Sequence, residues 1–451
     1  MRHLVFIGCH LGYPMDRTPL GGGAMVGLQL VREWAKSPEC RLTVVGAGSH
    51  HPAPGVDYVR LPQEGRDPDL AKLSEFGYAA FCQEFEAATT RFVLDRRDVF
   101  DPARTVVVVN DISEGPDFNR LAEAGYKVVS IWHVDVVEYF SRIYLNDLVP
   151  PHRWTWAFSQ FERWGLARLL PEILRLVFVK QRHAVESSDL MVLPSRQMAE
   201  TILRCYRGIL QNGSKPPLHL RTRVLPWGGW REEVDEGKVA LEVSRLREHY
   251  QLRPDSRVVL TMSRISPEKG IHLLLEALRR LESSPRFRAT DVCLFVCGET
   301  AFMRGESYGR RVRADAERLR RFRVFFPGYL SAFEKQAYFR LADLFVSPSI
   351  HESYGLTLVE AMQAGLPVLA SDHYGVDEIL RPGYGRKVAY WPSARRSRNL
   401  ASALEEMLAD PAALKRMGTA AREAARHMDF ADTAAKLLSE ALGLIPEGVA
   451  K

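Results

Sequence analysis

Two cations and two carboxylates in the second half of the chain stand where they could act on an anionic substrate. The segment Ser263-Arg264-Ile265-Ser266-Pro267-Glu268-Lys269-Gly270 follows an apolar run directly and precedes a helical pattern at Ile271. Arg264 and Lys269 flank that turn. A guanidinium and an ammonium beside a helix start form a clamp for a diphosphate, since both they and the first helical amides attract phosphate oxygens. An isolated pair with this spacing reads as two solvated charges in a loop, and the strand-end position is what lifts it above that. Further on, Leu344–Ser371 reads L-F-V-S-P-S-I-H-E-S-Y-G-L-T-L-V-E-A-M-Q-A-G-L-P-V-L-A-S. A strand is expected to end at Pro348, Glu352 to lie in a loop, Gly355 to open a helix and Gly365 to end it. The loop Ser353, Tyr354, Gly355 and Leu356 offers amides for a phosphate. Glu360, about a turn into the helix, can accept hydrogen bonds from two ribose hydroxyls, which leaves Glu352 nearer the group being transferred.

The first half offers less. Gly21, Gly22 and Gly23 precede a helical pattern from Ala24, and glycines there let a ligand approach helix-end amides. His133 and Asp135 stand at the end of an apolar run, where a histidine can donate a hydrogen bond or handle a proton. Asp67-Pro68-Asp69 follows a glycine- and charge-rich loop rather than a strand, which argues against holding a metal. No G-x-G-x-x-G, Walker A loop, G-x-S-x-G elbow or H-E-x-x-H pair is present.

These residues need strand ends to position them. Continuous apolar runs, the mark of parallel strands covered on both faces, are expected at His3–Gly8, Leu42–Gly46, Thr105–Asn110, Lys127–Trp132 and Leu190–Pro194. A second set is expected at Val258–Ser263, Val292–Gly298, Val324–Pro327, Leu344–Pro348 and Pro367–Ser371. Helical patterns alternate with them, for example Ile271–Leu281 and Thr357–Gln363. The fold class is therefore α/β, with a doubly wound parallel sheet in each half. A strand runs into Pro226, and Trp227-Gly228-Gly229-Trp230 follows. This places a first domain at 1–228, a second at 229–430, and a last helix over 431–451 that belongs to either. Ligands of such sheets bind beyond the carboxyl ends of the strands.

The 451 residues are 46% hydrophobic and 26% charged, which excludes disordered and collagen-like chains. A net charge of +6 is too weak to argue nucleic acid, and the bias to 49 Arg over 12 Lys is given little functional weight. The six cysteines form no C-x-x-C pair and sit mostly in apolar runs, which reads as buried reduced thiols and a cytoplasmic location. Pro150–Glu186 carries Trp154, Trp156 and Trp164 among many arginines. Helices packed within the first domain are the preferred reading over peripheral membrane contact. The arginine-rich run Arg310–Arg323 reads as a solvated face.

Over Val258–Glu378 the motifs S-R-I-S-P-E-K-G, F-F-P-G-Y, A-D-L-F-V-S-P-S and the E-x7-E segment with its following G-L-P-V-L-A-S resemble the retaining GT-B glycosyltransferases of family four (glycosyl transferases group 1). The resemblance implies two Rossmann-like domains facing across a cleft, an N-terminal acceptor-binding half and a C-terminal half holding a nucleotide-sugar. On matching positions it implies Arg264 and Lys269 on the diphosphate, Glu360 on the ribose and Glu352 at the sugar or reacting centre. It further implies Gly298 and Phe326 to Tyr329 along the nucleotide, and His133 near the donor sugar. In this fold the last helix commonly crosses back to the first domain. The donor is a substrate rather than a resident cofactor, with UDP placed first and GDP second. The acceptor is a hydroxyl of a natural product, glycan or lipid. Many relatives carry Asn-Gly-Val after the junction proline, where this chain has Trp227-Gly228-Gly229-Trp230. With two cations at the leaving phosphate no metal is required. An epimerase of the same architecture is the alternative.

Overall fold

The computed structural model describes residues 1–14, 20–62, 67, 69–70, 73, 75–145, 149–166, 169, 172–208, 215–230, 232, 234–287, 290–300 and 305–446. They form two compact units, Met1–Pro226 with the segment from Ala431 onward, and Trp227–Phe430.

The first unit is built on seven strands: β1 (His3–Ile7), β2 (Arg41–Gly46), β3 (Asp57–Arg60), β4 (Thr105–Val109), β5 (Lys127–Ile131), β6 (Leu190–Leu193) and β7 (Thr222–Val224). They lie in the order β3-β2-β1-β4-β5-β6-β7, and each pairing is parallel, as in the register Val5 opposite Val107. The central strands β1 and β4 are buried along their whole length, so valine and isoleucine runs are what they demand. The helix Phe430–Leu442 packs back on this unit. Trp34 Nε1 donates to the carbonyl of Ala434 at 2.8 Å, and Arg223 pairs with Glu440 at 2.8 Å.

The second unit has six strands: β8 (Arg257–Met262), β9 (Val292–Cys297), β10 (Arg323–Gly328), β11 (Leu344–Ser347), β12 (Val368–Ser371) and β13 (Gly385–Val388). Their order is β10-β9-β8-β11-β12-β13. The helix Ile271–Leu281 shows why the chain folds this way locally. Ile271, Leu274, Leu275, Leu278 and Leu281 recur at helical spacing and all are buried, roughly 1.5–3 kcal/mol of transfer free energy for each. They pack with Val259, Leu294, Val346 and Leu369 of the sheet. Where the chain enters and leaves this unit its two strands run side by side. Gly229 N donates to Met428 O at 2.9 Å and Phe430 N to Gly229 O at 3.2 Å. A Cβ on Gly229 would stand 2.6 Å from the Gln363 amide, so the glycine pair at the junction is set by packing.

All ten strands read from apolar runs are present, along with the one leading into Pro226. Two were not read, β3 and β13. Both are edge strands, Asp-Tyr-Val-Arg and Gly-Arg-Lys-Val, only partly buried.

Candidate functional site

In the second unit β8 and β11 are neighbours, with Leu344 opposite Val259, although more than eighty residues separate them in sequence. The strand order reverses there, and the crevice beyond their carboxyl ends is where such sheets bind ligands. The turn after β8 carries Arg264 and Lys269, and the loop after β11 carries Glu352. The two are tied together. Ile350 N donates to Glu268 O at 2.7 Å, and the Lys269 ammonium donates to the Glu352 carboxylate. Only 13% of the Lys269 side chain and 24% of that of Glu352 are exposed. Burial alone would push the Glu352 carboxyl upward. The charge of Lys269, with His373 and His351 beside it, outweighs burial and holds it at about 2. Arg264 lies 3.6 Å from the carboxylate of Glu268, which the Ser266 hydroxyl also reaches.

The floor of this crevice is made largely of main chain. Gly270 has φ 64° and a Cβ on it would meet Pro348 O at 2.1 Å; Gly298 has φ 126° and a Cβ there would meet Ser263 O at 2.0 Å. Gly298 N in turn donates to Gly328 O at 2.7 Å. Gly375, at φ 78°, lies so close that a Cβ would reach Tyr354 Cα at 2.4 Å. Only glycine fits such positions. Gly355 is the N-cap of the helix Leu356–Gln363, with φ 103° and no side-chain cap, so this helix mouth can serve an anion. Ser353 and Tyr354 are buried, and the Tyr354 hydroxyl accepts from Gly228 N at 3.2 Å.

Glu360 lies a turn further along. Lys335 donates to its Oε1 at 2.7 Å and lies 3.9 Å from Glu232. Burial opposes the Lys335 charge, but Glu360 and Glu232 outweigh it and raise its pKa. One carboxylate oxygen expected to face a ribose is thus already engaged. Phe326 packs against the core with the Arg313 guanidinium 4.4 Å over its ring, and Tyr329 is more exposed, at 36%. The arginine-rich segment is mostly solvated, as read, with Arg323, half-buried and paired with Asp291 at 2.6 Å, the departure.

In the first unit the helix Gly22–Trp34 begins at Gly22, two residues earlier than its apolar pattern suggests, with Gly21 as N-cap at φ 98°. Gly22 takes the first helical position. Gly23 faces His133, where a Cβ would come within 2.9 Å of the imidazole. Asn110, just past β4, joins them: its Nδ2 donates to Gly23 O at 3.1 Å, and its Oδ1 lies 3.2 Å from His133 Nε2. That amide orientation assigns the proton to Nε2. Burial, reinforced by His10, pushes the His133 pKa down to about 3, so the imidazole is neutral at physiological pH. Asp135 instead caps the helix after it, accepting from Val137 N and Glu138 N.

The structure adds residues that the sequence reading passed over. Asp111 and Glu114 follow β4 at this unit's own reversal of strand order, and burial pushes both carboxyls upward, Asp111 further because Glu114 adjoins it. The Tyr78 hydroxyl donates to Glu114. Cys9, His10 and Glu114 bring one ligand atom each within 4.8 Å of one another, the one such buried group among the described residues. In the second unit His373 lies two residues past β12. Applying the strand-end rule to β1, β4 and β12 would have found Cys9, His10, Asp111, Glu114 and His373, whereas Tyr78 lies inside the helix Glu75–Leu94. Lys335 sits inside a helix and had no such signal. Asp67 is held by Arg60 and Ser49. All six cysteines are unpaired, and five are buried. No described helix is long and apolar enough to cross a membrane.

Residues 242–424 match the family model described as glycosyl transferases group 1. The phosphatidyl-myo-inositol mannosyltransferase of Mycobacterium leprae is 33% identical over 186 residues, 40% of this chain and 45% of that protein. This chain aligns with less than half the length of the first curated relatives it matches, 36%, 45% and 40%. Among solved structures, sucrose-phosphate synthase from Thermosynechococcus elongatus shares the fold with a TM-score of 0.68 at 18% identity, over 98% of this chain and 99% of that one. HepE of Anabaena in complex with UDP-glucose does so with a TM-score of 0.64 at 17% identity, over 99% and 100%. The two parallel-sheet units are thus those of the GT-B fold. The switch-point residues Arg264, Lys269, Glu352 and Glu360 all fall inside the matched stretch, so it is through its second unit that the chain is similar to the glycosyl transferases group 1 family.

Proposed function

We propose that this protein is a glycosyltransferase that moves a sugar from a nucleoside-diphosphate sugar to a hydroxyl acceptor with retention of configuration and without a divalent metal. The observation that carries the reading is the Lys269–Glu352 pair at the strand-order reversal, with Arg264 beside it. The diphosphate belongs between Arg264, Lys269 and the uncapped helix mouth at Leu356. Breaking the sugar–phosphate bond builds negative charge on the leaving phosphate, and donors fixed in advance stabilise it with little reorganisation. In this resting arrangement each cation leans on a carboxylate, Lys269 on Glu352 and Arg264 on Glu268. A bound diphosphate replaces or shares those partners.

The Lys335–Glu360 pair supports a ribose role, since Lys335 fixes one oxygen and orients the other. The sugar passes through an oxocarbenium-like state. No second carboxylate is assigned as nucleophile, which favours a same-face route in which the leaving phosphate takes the acceptor proton. UDP is the first choice of nucleotide and GDP the second, with the structural relative bound to UDP-glucose as support. We assign His133, with Gly22 and Gly23, to hydrogen bonding with the transferred sugar. Its neutral state suits that role better than acid–base work. Asp111 and Glu114 are assigned to a polyhydroxylated acceptor, because neighbouring carboxyls at a strand-order reversal can pair with hydroxyls.

The test is a panel of nucleoside diphosphates read by thermal shift, followed by product analysis. A ligand at about 100 Kd adds about 2.7 kcal/mol, and Lys269→Met should abolish that shift. No response to any nucleoside diphosphate ends the reading. Donor converted to a new sugar in the absence of acceptor would establish the epimerase instead.

A further inference from the structure

The helix Pro151–Arg163 of the first unit is anchored along one face. Thr155 Oγ1 donates to Cys205 O at 3.0 Å, Phe158 stacks on Phe178 at 4.7 Å, and Glu162 pairs with Arg182. The opposite face is unusual. Arg153, Trp156 and Arg163 are exposed there, with Trp156 at 61%. The helix then ends so as to add to this surface. Gly165, at φ 70°, takes the left-handed position. Leu166 N donates to Phe161 O at 2.8 Å and Gly165 N to Glu162 O at 2.9 Å, the paired bonds of a Schellman motif. In that motif the residues corresponding to Phe161 and Leu166 usually form an apolar contact that covers the helix end. Both are exposed here, alongside Trp164 at 68% and Leu169 at 76%.

Five of the eleven large hydrophobics exposed among the described residues therefore fall within residues 156–169. Scattered exposed apolar groups need no explanation, whereas a contiguous patch marks an interaction surface. Charge selects the partner. The single acidic residue of the helix, Glu162, is turned inward to Arg182. Among the described residues neither Arg153 nor Arg163 has a carboxylate partner. The outer face is thus tryptophan, phenylalanine and leucine interleaved with unopposed arginine. Indole rings settle at the headgroup level of a bilayer, and guanidinium groups pair with anionic headgroups there. The sequence-based preference for packed helices holds for the inner face. The outer face carries the other role.

We propose that the outer face of the helix Pro151–Arg163, with Trp164, Leu166 and Leu169 beyond it, is a docking surface for an anionic lipid bilayer. This goes beyond the glycosyl-transfer reading and stands or falls separately from it, because none of these residues belongs to either site described above. The full chain is sedimented with vesicles of phosphatidylcholine alone or mixed with phosphatidylglycerol. Wild type is expected to co-sediment with the anionic vesicles and far less with the neutral ones. Trp156→Ser with Trp164→Ser should lower that partition by at least about tenfold. Arg153→Gln with Arg163→Gln should remove the preference for anionic lipid. Trp391→Ser, an equally exposed indole in the second unit at 69%, should change nothing. Thermal midpoints near wild type show that the variants fold. A wild type that does not bind anionic vesicles, or a tryptophan double variant that binds as well, overturns the proposal. So does a wild-type oligomer that the double variant dissolves while vesicle binding is absent, which would mark a surface between copies of this chain.

Discussion

Lys269→Met probes the proposed function and the architecture of the site at once. The Glu352 carboxyl sits at about 2 in the folded chain against 4.5 when solvated, a separation worth about 3 kcal/mol. Lys269 is the strongest of the three charges that produce it. Removing the ammonium leaves burial acting on the carboxylate with only His373 and His351 to oppose it, so a destabilisation of roughly 2–3 kcal/mol is expected at neutral pH. The pH dependence has a definite sign. A depressed carboxyl pKa stabilises the fold fully above 4.5 and progressively less as pH falls toward 2. The gap between wild type and variant should therefore be widest near neutrality and close in acid. Lys269→Met with Glu352→Gln leaves neither charge stranded, and most of the lost stability should return. Turnover should not return, because one cation at the leaving phosphate is worth about 10²–10³ in rate. Denaturant titrations at neutral and acid pH, with product formation at saturating donor, measure both arms. A double variant that recovers wild-type turnover, or a single variant that never loses it, would refute the clamp.

Lys335→Ala should raise KM for the donor by about tenfold with a smaller change in kcat, since a lost charge-assisted hydrogen bond costs about 1.5–3 kcal/mol and the ribose is remote from the broken bond. Gly298→Ala should lower the melting temperature and weaken nucleotide binding together, because strain of about 1–3 kcal/mol at φ 126° adds to the contact with Ser263 O; a neutral outcome in calorimetry would show that the backbone yields there. Gly23→Ala should mimic His133→Ala in activity, as its methyl would press on the imidazole at 2.9 Å, and a steady-state comparison of the two decides it. His133, held near 3, should contribute no titration to the activity profile between pH 5 and pH 8. Its depressed pKa weakens the fold as pH drops below the ordinary histidine value of 6.5, so His133→Asn should flatten the acid limb of stability. Activity should persist in excess EDTA, and loss restored by magnesium would sink the metal-free mechanism.

Most of the strands legible in the sequence are those whose burial is complete, with the half-buried edge strand β10 read from its Val-Phe-Phe run. Strands such as Thr105–Val109 and Val292–Cys297 are covered on both faces, so their composition has little freedom. The edge strands β3 and β13 have one side open and read as ordinary polar loop. Arg264, Lys269, Glu352 and Glu360 were legible because strand-end position and the motif spacing coincide. What the sequence hid were the partners. Nothing in the spacing shows that Glu352 closes on Lys269, or that Lys335, some twenty-five residues before Glu360, crosses to it. Those contacts depend on how helices lie across the sheet, a long-range outcome without a local signature. Asn110 is hidden in a similar way: it reads as the end of a strand, yet it fixes the tautomer of His133.

The main-chain floor beneath the second unit's crevice has a consequence for how such a protein can diverge. Contour and charge are written in different residues there. Gly270, Gly298 and Gly375 set the contour through backbone approaches that no other amino acid tolerates, while the charged groups Arg264, Lys269 and Glu352 lie on the loops beside them. Under the proposed function, substitutions among those charged groups would retune which donor is preferred without recasting the mould, while three achiral positions stay frozen.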